Sequence, residues 1–252
     1  MIDTATNRIT TKAIKTGPFP SAIAFSPDGS RAYVVNARLT GNGSVSVIDT
    51  ATNKLAVKAI EVGRDPEQIA VAPDGSRAYV ADFGSNAVSV IDTGSLAVAT
   101  IKVGRGPIAV ATSPDGSRAY VTNFVGNTVS VIDTATSKVV KTIRTGDTPS
   151  AIAASPNGRR VYVVNARDDS LSVINTASNK PAAKMIAVGN RPTAIALTPN
   201  GDRAYVTSLG TGLVSVINTA TGKPASKAIA VGPFPIALAV TPDGSRVYVV
   251  KN

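Results

Sequence analysis

The chain has 252 residues, 43% of them apolar, 17% charged and 4% aromatic, with no Cys, His or Trp. Those absences exclude disulfides, thiolate nucleophiles, Ser-His-Asp triads, and any zinc or haem site that needs Cys or His ligands. An excess of 26 basic over 16 acidic residues gives a formal charge of +10, which favours anionic partners or surfaces.

The first residues, Met1 to Asn7, have neither a basic nor an apolar leader, so no signal peptide is expected in the given residues. No stretch reaches the ~18–20 uncharged apolar residues of a membrane helix. Met1–Lys15 reads as the end of one strand and the whole of the next. Beyond it, Pro-Asp-Gly or Pro-Asn-Gly recurs at Pro27, Pro73, Pro114, Pro156, Pro199 and Pro242, with spacings of 46, 41, 42, 43 and 43. A period in the forties predicts a propeller of four-stranded antiparallel blades.

One unit shows how the blade is read. Ile108–Ser113 is small and apolar and predicts strand A. Pro114-Asp115-Gly116 is a turn, because Pro presets φ and Gly tolerates φ > 0. Arg118–Asn123 is strand B, the alternating Thr128–Asp133 is strand C, and Lys138–Arg144 is strand D. Six copies repeat the same solutions. Gly17, Gly63, Gly104, Gly146, Gly189 and Gly232 precede strand A, and Pro20, Pro66, Pro107, Pro149, Pro192 and Pro235 open it. All six Tyr hold one strand B position, each two residues after an Arg. These positions read as turn chemistry and packing.

Tyr120-Val121-Thr122-Asn123, Ser130-Val131-Ile132-Asp133-Thr134 and Ser113-Pro114-Asp115-Gly116 together resemble the YVTN family of β-propeller repeats, and the resemblance covers the whole chain. It implies a propeller of the kind found in bacterial and archaeal surface or secreted proteins, and so an extracytoplasmic or cell-surface location. The His-bearing motifs of related lactonases and cofactor-bearing propellers have no counterpart here.

The expected architecture is therefore all-β, a single β-propeller domain over 1–252. Its repeat units lie near 16–62, 63–103, 104–145, 146–188, 189–231, and 232–252 plus 1–15. The last of six blades would be built from both termini and be short of most of strand C. From Tyr120 to Asp133 is 13 residues, whereas the path from Tyr248 across the termini to Asp3 is only 7. The rival reading is a piece of a longer chain with seven or more blades.

Antiparallel strands put A–B and C–D turns at one end of each blade and B–C and D–A loops at the other. The first end is monotonous and the second varies, which makes the second the place for function. It carries Phe19, Phe83, Phe124 and Phe234 with Arg38, Arg64, Arg105, Arg167 and Arg191, a mixture typical of binding patches. The plainer reading is that each Phe plugs a blade interface. Glu67, one of two Glu, replaces Ser21, Ile108, Ser150, Thr193 or Ile236 at the head of an innermost strand. With Asp65, Asp147, Asp168 and Asp169 at the same end, it could bind Ca²⁺ or Mg²⁺ or serve in acid–base chemistry. Eleven Lys, Lys12 and Lys58 among them, lie on or beside strand D, where Lys guards an open sheet edge.

The leading expectation is a non-enzymatic binding or scaffold module for a protein or an anionic glycan or cell-wall polymer at the B–C/D–A face. Its candidate residues are Phe19, Arg38, Arg64, Glu67, Phe83, Arg105, Phe124, Arg167, Arg191 and Phe234. No cofactor, no assigned catalytic or metal residue, no specific nucleic-acid partner and a monomer are expected. The alternatives are a metal-assisted hydrolase or lyase with carboxylates at the channel mouth, and a structural surface-layer unit.

Overall fold

A computed structural model describes residues 2–3, 6, 8–9, 13–38 and 40–252 of the chain. Lys12 and the Lys58 side chain lie outside the described residues. Five antiparallel sheets follow one another in chain order. The third contains Pro107–Thr112, Arg118–Asn123, Thr128–Asp133 and Lys138–Arg144, in that spatial order. Its neighbours begin at Pro20–Phe25, Pro66–Val71, Pro149–Ala154 and Pro192–Leu197. We number these blades 1 to 5 and keep the letters A to D for their strands. The first strands pack each on the next, from Pro20–Phe25 round to Pro235–Val240. This places strand A innermost and leaves strand D on the outer edge.

Strand B is apolar almost throughout because it is buried on both faces. In blade 1, Tyr33 and Val35 pack forward against Ile69, Ala78 and Val80 of blade 2, while Ala32 and Val34 pack backward with Ile48 and Ile14. The same forward packing recurs from Tyr79 onto blade 3 and from Tyr120 onto blade 4. Each blade thus shares its core with the next. Strand D, wetted on its outer side, keeps one or two buried residues in blades 1 to 3, such as Ile143 in Lys138–Arg144, and none in blades 4 and 5.

The last blade expected from both termini is not formed among the described residues. Pro235–Val240 pairs with Val247–Lys251 in one two-stranded sheet, and Ile2–Asp3 pairs with Arg8–Ile9 in another. The consequence is visible at both ends of the arc. Ile23 is 56% exposed whereas Ile69, its counterpart in blade 2, is 6% exposed, and Tyr248 is 58% exposed against 1% for Tyr120. A neighbouring blade is what buries these positions.

Blades are also fastened by hydrogen bonds. Arg31 and Arg160 each donate from a guanidinium to a carbonyl in the C–D turn of the next blade, Thr93 and Thr219. Gln68 has no counterpart elsewhere: its Oε1 accepts the Val110 N–H of the neighbouring inner strand at 2.8 Å. Val110 is 4% exposed, so removing the acceptor strands a buried donor. Gln68→Ala is therefore expected to cost about 1–2 kcal/mol in a urea titration.

Candidate functional site

The varied end of the blades is built on a strained and repeated turn. The residue before each strand A proline has positive φ: Phe19, Asp65, Gly106, Thr148, Arg191 and Phe234, between 45° and 60°. Proline disfavours helical backbone in the residue before it, and only Gly enters the left-handed region without cost. The loop is held there by its hydrogen bonds. The carbonyl of each of the six accepts an N–H from its own blade's B–C side, as Phe83 N–H to Asp65 at 2.9 Å and Phe124 N–H to Gly106 at 2.8 Å. From the preceding blade, Asn86 accepts the Gly106 N–H, Asn127 the Thr148 N–H, and Asp169 the Arg191 N–H, at 2.8 to 2.9 Å.

These contacts account for two of the five candidate carboxylates, Asp168 and Asp169. Asp169 also accepts from Asn190 Nδ2, and Asp168 accepts the Asp147 N–H at 2.6 Å. Both are loop staples. Among the described residues no three Asp or Glu converge on a point that could hold a metal ion.

The ten candidate residues all lie on the B–C and D–A loops or the strand heads beside them, but they are distributed round the arc. Phe83 and Phe124 meet, with ring centroids 6.5 Å apart and planes at 59°. Both are half-buried, and Phe83 leans over Gly106, so this pair plugs the seam between blades 2 and 3. Phe19 and Phe234 are 58% and 55% exposed on the first and last D–A loops. Arg64 donates to the Gly84 carbonyl at 3.0 Å and clamps its own blade's B–C loop. Arg167 lies 3.8 Å from Asp147 with its side chain mostly in solvent. Arg38 lines a separate hollow with Asn42 and Glu61. Arg105 and Arg191 are exposed.

Glu67 differs from the rest. In every inner strand the register slips after the opening proline, so that Pro66 pairs with Asp82 and Gln68 with Ala81 while Glu67 is passed over. A bulge of this kind re-aims the passed-over side chain. Ser21 and Thr193, at the same position, donate to the Pro66 and Pro235 carbonyls of the next inner strand. Glu67 is thus a half-buried carboxyl at the inner rim. Burial raises its pKa above the usual 4.5, and the nearby Asp65 charge raises it further.

Sequence reasoning missed Asp82. It closes strand B of blade 2, where Asn36, Asn123 and Asn165 stand in blades 1, 3 and 4, and it is fully buried. Burial pushes its carboxyl up to about 6, against the opposing hydrogen bond from Ser89 Oγ to Oδ2 at 2.7 Å. The signal was one Asp in a column otherwise held by Asn36, Asn123, Asn165, Ser208 and Lys251.

Four-stranded antiparallel sheets arranged inner strand to inner strand define the β-propeller class. Comparison with known families narrows this. The model described as YNCE-like beta-propeller matches residues 1–160, and the chain belongs to that family. The match supports the β-propeller that the YVTN resemblance implied, at the level of the fold. A second model, described as lactonase, 7-bladed beta-propeller, matches residues 132–251. No curated protein matches the chain.

Among solved structures, hydrazine synthase of Kuenenia stuttgartiensis is 29% identical with a TM-score of 0.79, over 95% of this chain and 75% of that one. A provisionally assigned 6-phosphogluconolactonase of Bacteroides uniformis is 19% identical with a TM-score of 0.79, over 95% and 79%. A functionally unknown protein of Desulfotomaculum acetoxidans is 18% identical with a TM-score of 0.71, over 92% and 75%. The last two show the fold alone. Among the described residues, no helix is long and apolar enough to cross a membrane.

The lactonase match corrects the expectation of a non-enzymatic binding or scaffold module. The surface-layer alternative falls with it.

Proposed function

We propose that the chain is a hydrolase that opens a small lactone at the inner rim, with Glu67 as general base. The match of residues 132–251 to the lactonase family carries this reading. The shared fold with a provisionally assigned 6-phosphogluconolactonase favours it further.

Glu67 has the properties that the reaction needs. A general base works best with a pKa drawn toward the operating pH, and burial raises that of Glu67. Water attacks the lactone acyl carbon as Glu67 takes its proton. The tetrahedral oxyanion collapses, the ring C–O bond breaks, and the leaving alkoxide recovers the proton from Glu67. The product is the open hydroxy acid, and atoms balance without a cofactor. Arg105, exposed on the next D–A loop and in no ion pair among the described residues, supplies the cation that stabilises the oxyanion.

Acid release from glucono-1,5-lactone and from simple 1,4-lactones tests this. The chain is expected to turn over at least one of them, with a rising pH limb set above the ordinary glutamate range. Glu67→Gln is expected to lose about 100-fold or more in rate while melting unchanged. No turnover of any lactone in the panel overturns the activity. Full turnover by Glu67→Gln keeps the activity and removes Glu67 from it.

A further inference from the structure

A hollow of about 740 Å³ lies at the opposite end from Glu67, between blades 4 and 5. Its origin is legible in two aligned segments. Strand D of blade 1 is Lys-Leu-Ala-Val-Lys-Ala-Ile-Glu from Lys54, and that of blade 4 is Lys-Pro-Ala-Ala-Lys-Met-Ile-Ala from Lys180. In blade 1 the strand runs unbroken over Lys54–Arg64, and Val57 pairs with Val47. In blade 4 it breaks into Lys180–Pro181 and Ile186–Ala187. Pro181 has no N–H for the ladder, and Ala183 replaces the valine that would hold the middle of the strand to the sheet. Ala182 still donates its N–H to the Val173 carbonyl at 2.7 Å, but residues 183–185 leave the sheet and open a groove against the 219–223 turn of blade 5.

The groove is uniformly positive. Arg160, Lys180, Lys184 and Lys223 line it, and no Asp or Glu does. One local exchange removed an acid from the lining: Asn175 stands where blades 1, 2 and 3 have Asp49, Asp92 and Asp133. Among the described residues, Lys180, Lys184 and Lys223 form no ion pair. The Arg160 guanidinium is engaged by the Thr219 carbonyl and fixes the far wall. Between the cations the lining mixes apolar Val173 and Ile186 with polar Asn175, Ser178 and Thr221, and Met185 is 52% exposed at the edge.

We propose that this groove binds a small free amphiphilic anion. Its apolar body would lie along Val173 and Ile186, and its carboxylate or phosphate head among Lys180, Lys184 and Lys223. The volume suits such a ligand, since small-molecule sites run to ~300–1,000 Å³. An apolar body accounts for the floor, and an acid head accounts for three cations without a counter-charge. The site stands apart from the lactone-opening reading and does not depend on it.

Calorimetry with octyl phosphate on the full chain tests the proposal. One saturable site is expected. The double variant Lys184→Gln/Lys223→Gln should weaken it about tenfold or more, while Lys54→Gln/Lys138→Gln, on the unbroken strands of blades 1 and 3, should change it less than about twofold. Pro181→Leu/Ala183→Val, which restores the blade 1 strand, should abolish binding with melting unchanged or raised. Octyl glucoside, with the same tail and no charge, should bind at least about tenfold more weakly. Absence of a saturable site, equal loss in the Lys54/Lys138 variant, or equal binding of octyl glucoside would each overturn the proposal. Lys184/Lys223-dependent sedimentation with phosphatidylglycerol vesicles, without binding of free octyl phosphate, would overturn it in favour of a membrane surface.

Discussion

Asp82→Asn is expected to raise the stability of the chain by about 3 kcal/mol at pH 8 and to leave it nearly unchanged at pH 4. The folded chain holds the Asp82 carboxyl at a pKa of about 6, because the group is buried, against 3.8 for an ordinary aspartate. Between roughly pH 4 and pH 6 the folded state therefore keeps a proton that the unfolded state has released. Stability from this group is greatest below the unfolded value, falls as pH rises through that window, and stays low above it. About two pKa units correspond to about 3 kcal/mol. The other blades show the relieved arrangement. Asn123 and Asn165 donate from Nδ2 to Ser130 and Ser172 at 3.0 Å, with no charge to bury. Asn at position 82 can make the same bond to Ser89. Thermal melts of the two proteins from pH 4 to pH 8 should diverge with rising pH. A constant gap across that range would assign the titration to another group.

Local patterning explains why the blades were legible in the sequence. Arg118–Asn123, Thr128–Asp133 and Lys138–Arg144 form strands with the bounds that alternation and turn residues imply, and strand A differs by one residue. Each is fixed by its own residues: Pro and Gly at the turns, and β-branched and aromatic side chains between them. What escaped the sequence depends on neighbours brought from another repeat. Gln68 matters through the Val110 N–H, 42 residues on. The blade 4–5 groove needs a missing pairing in one blade and a turn from the next. Closure of the ring through the termini was an inference from counting strands. The described residues instead keep the two terminal pairs as separate sheets.

The candidate site was half legible for the same reason. The outlying Glu67 was visible as the single carboxylate in a column of Ser, Thr and Ile. The bulge that passes over it appears only once register is known. The Asp residues beside it looked equivalent in sequence. In the fold, Asp168 and Asp169 are committed to loop amides. Four Phe at one end suggested a patch. Two of them meet at a seam, while Phe19 and Phe234 hold left-handed turns on the first and last D–A loops.

The repeated Gly before strand A has a packing cause that leads to the second large effect. A β-carbon on Gly104 would lie 2.5 Å from Cγ and Nδ2 of Asn123, and Gly17, Gly63, Gly146 and Gly189 face the matching residue of their own blades at 2.6 to 2.7 Å. Gly104→Ala is therefore expected to cost about 3 kcal/mol or more. Asn123 cannot simply yield. It is fully buried, and its amide donates to Thr128 Oγ1 at 2.9 Å and Ser130 Oγ at 3.0 Å. Moving the loop instead would break the Gly104 N–H bond to Ser130 and the Val103 N–H bond to Asn86. Gly29→Ala is the control. Gly29 has φ of 71° and nothing within 4 Å, so only backbone strain of about 1 kcal/mol is at stake. Urea titrations at constant slope should separate the two variants clearly. Equal losses would mean that strand A is preceded by Gly for its backbone freedom and that the close approach to strand B has no energetic weight.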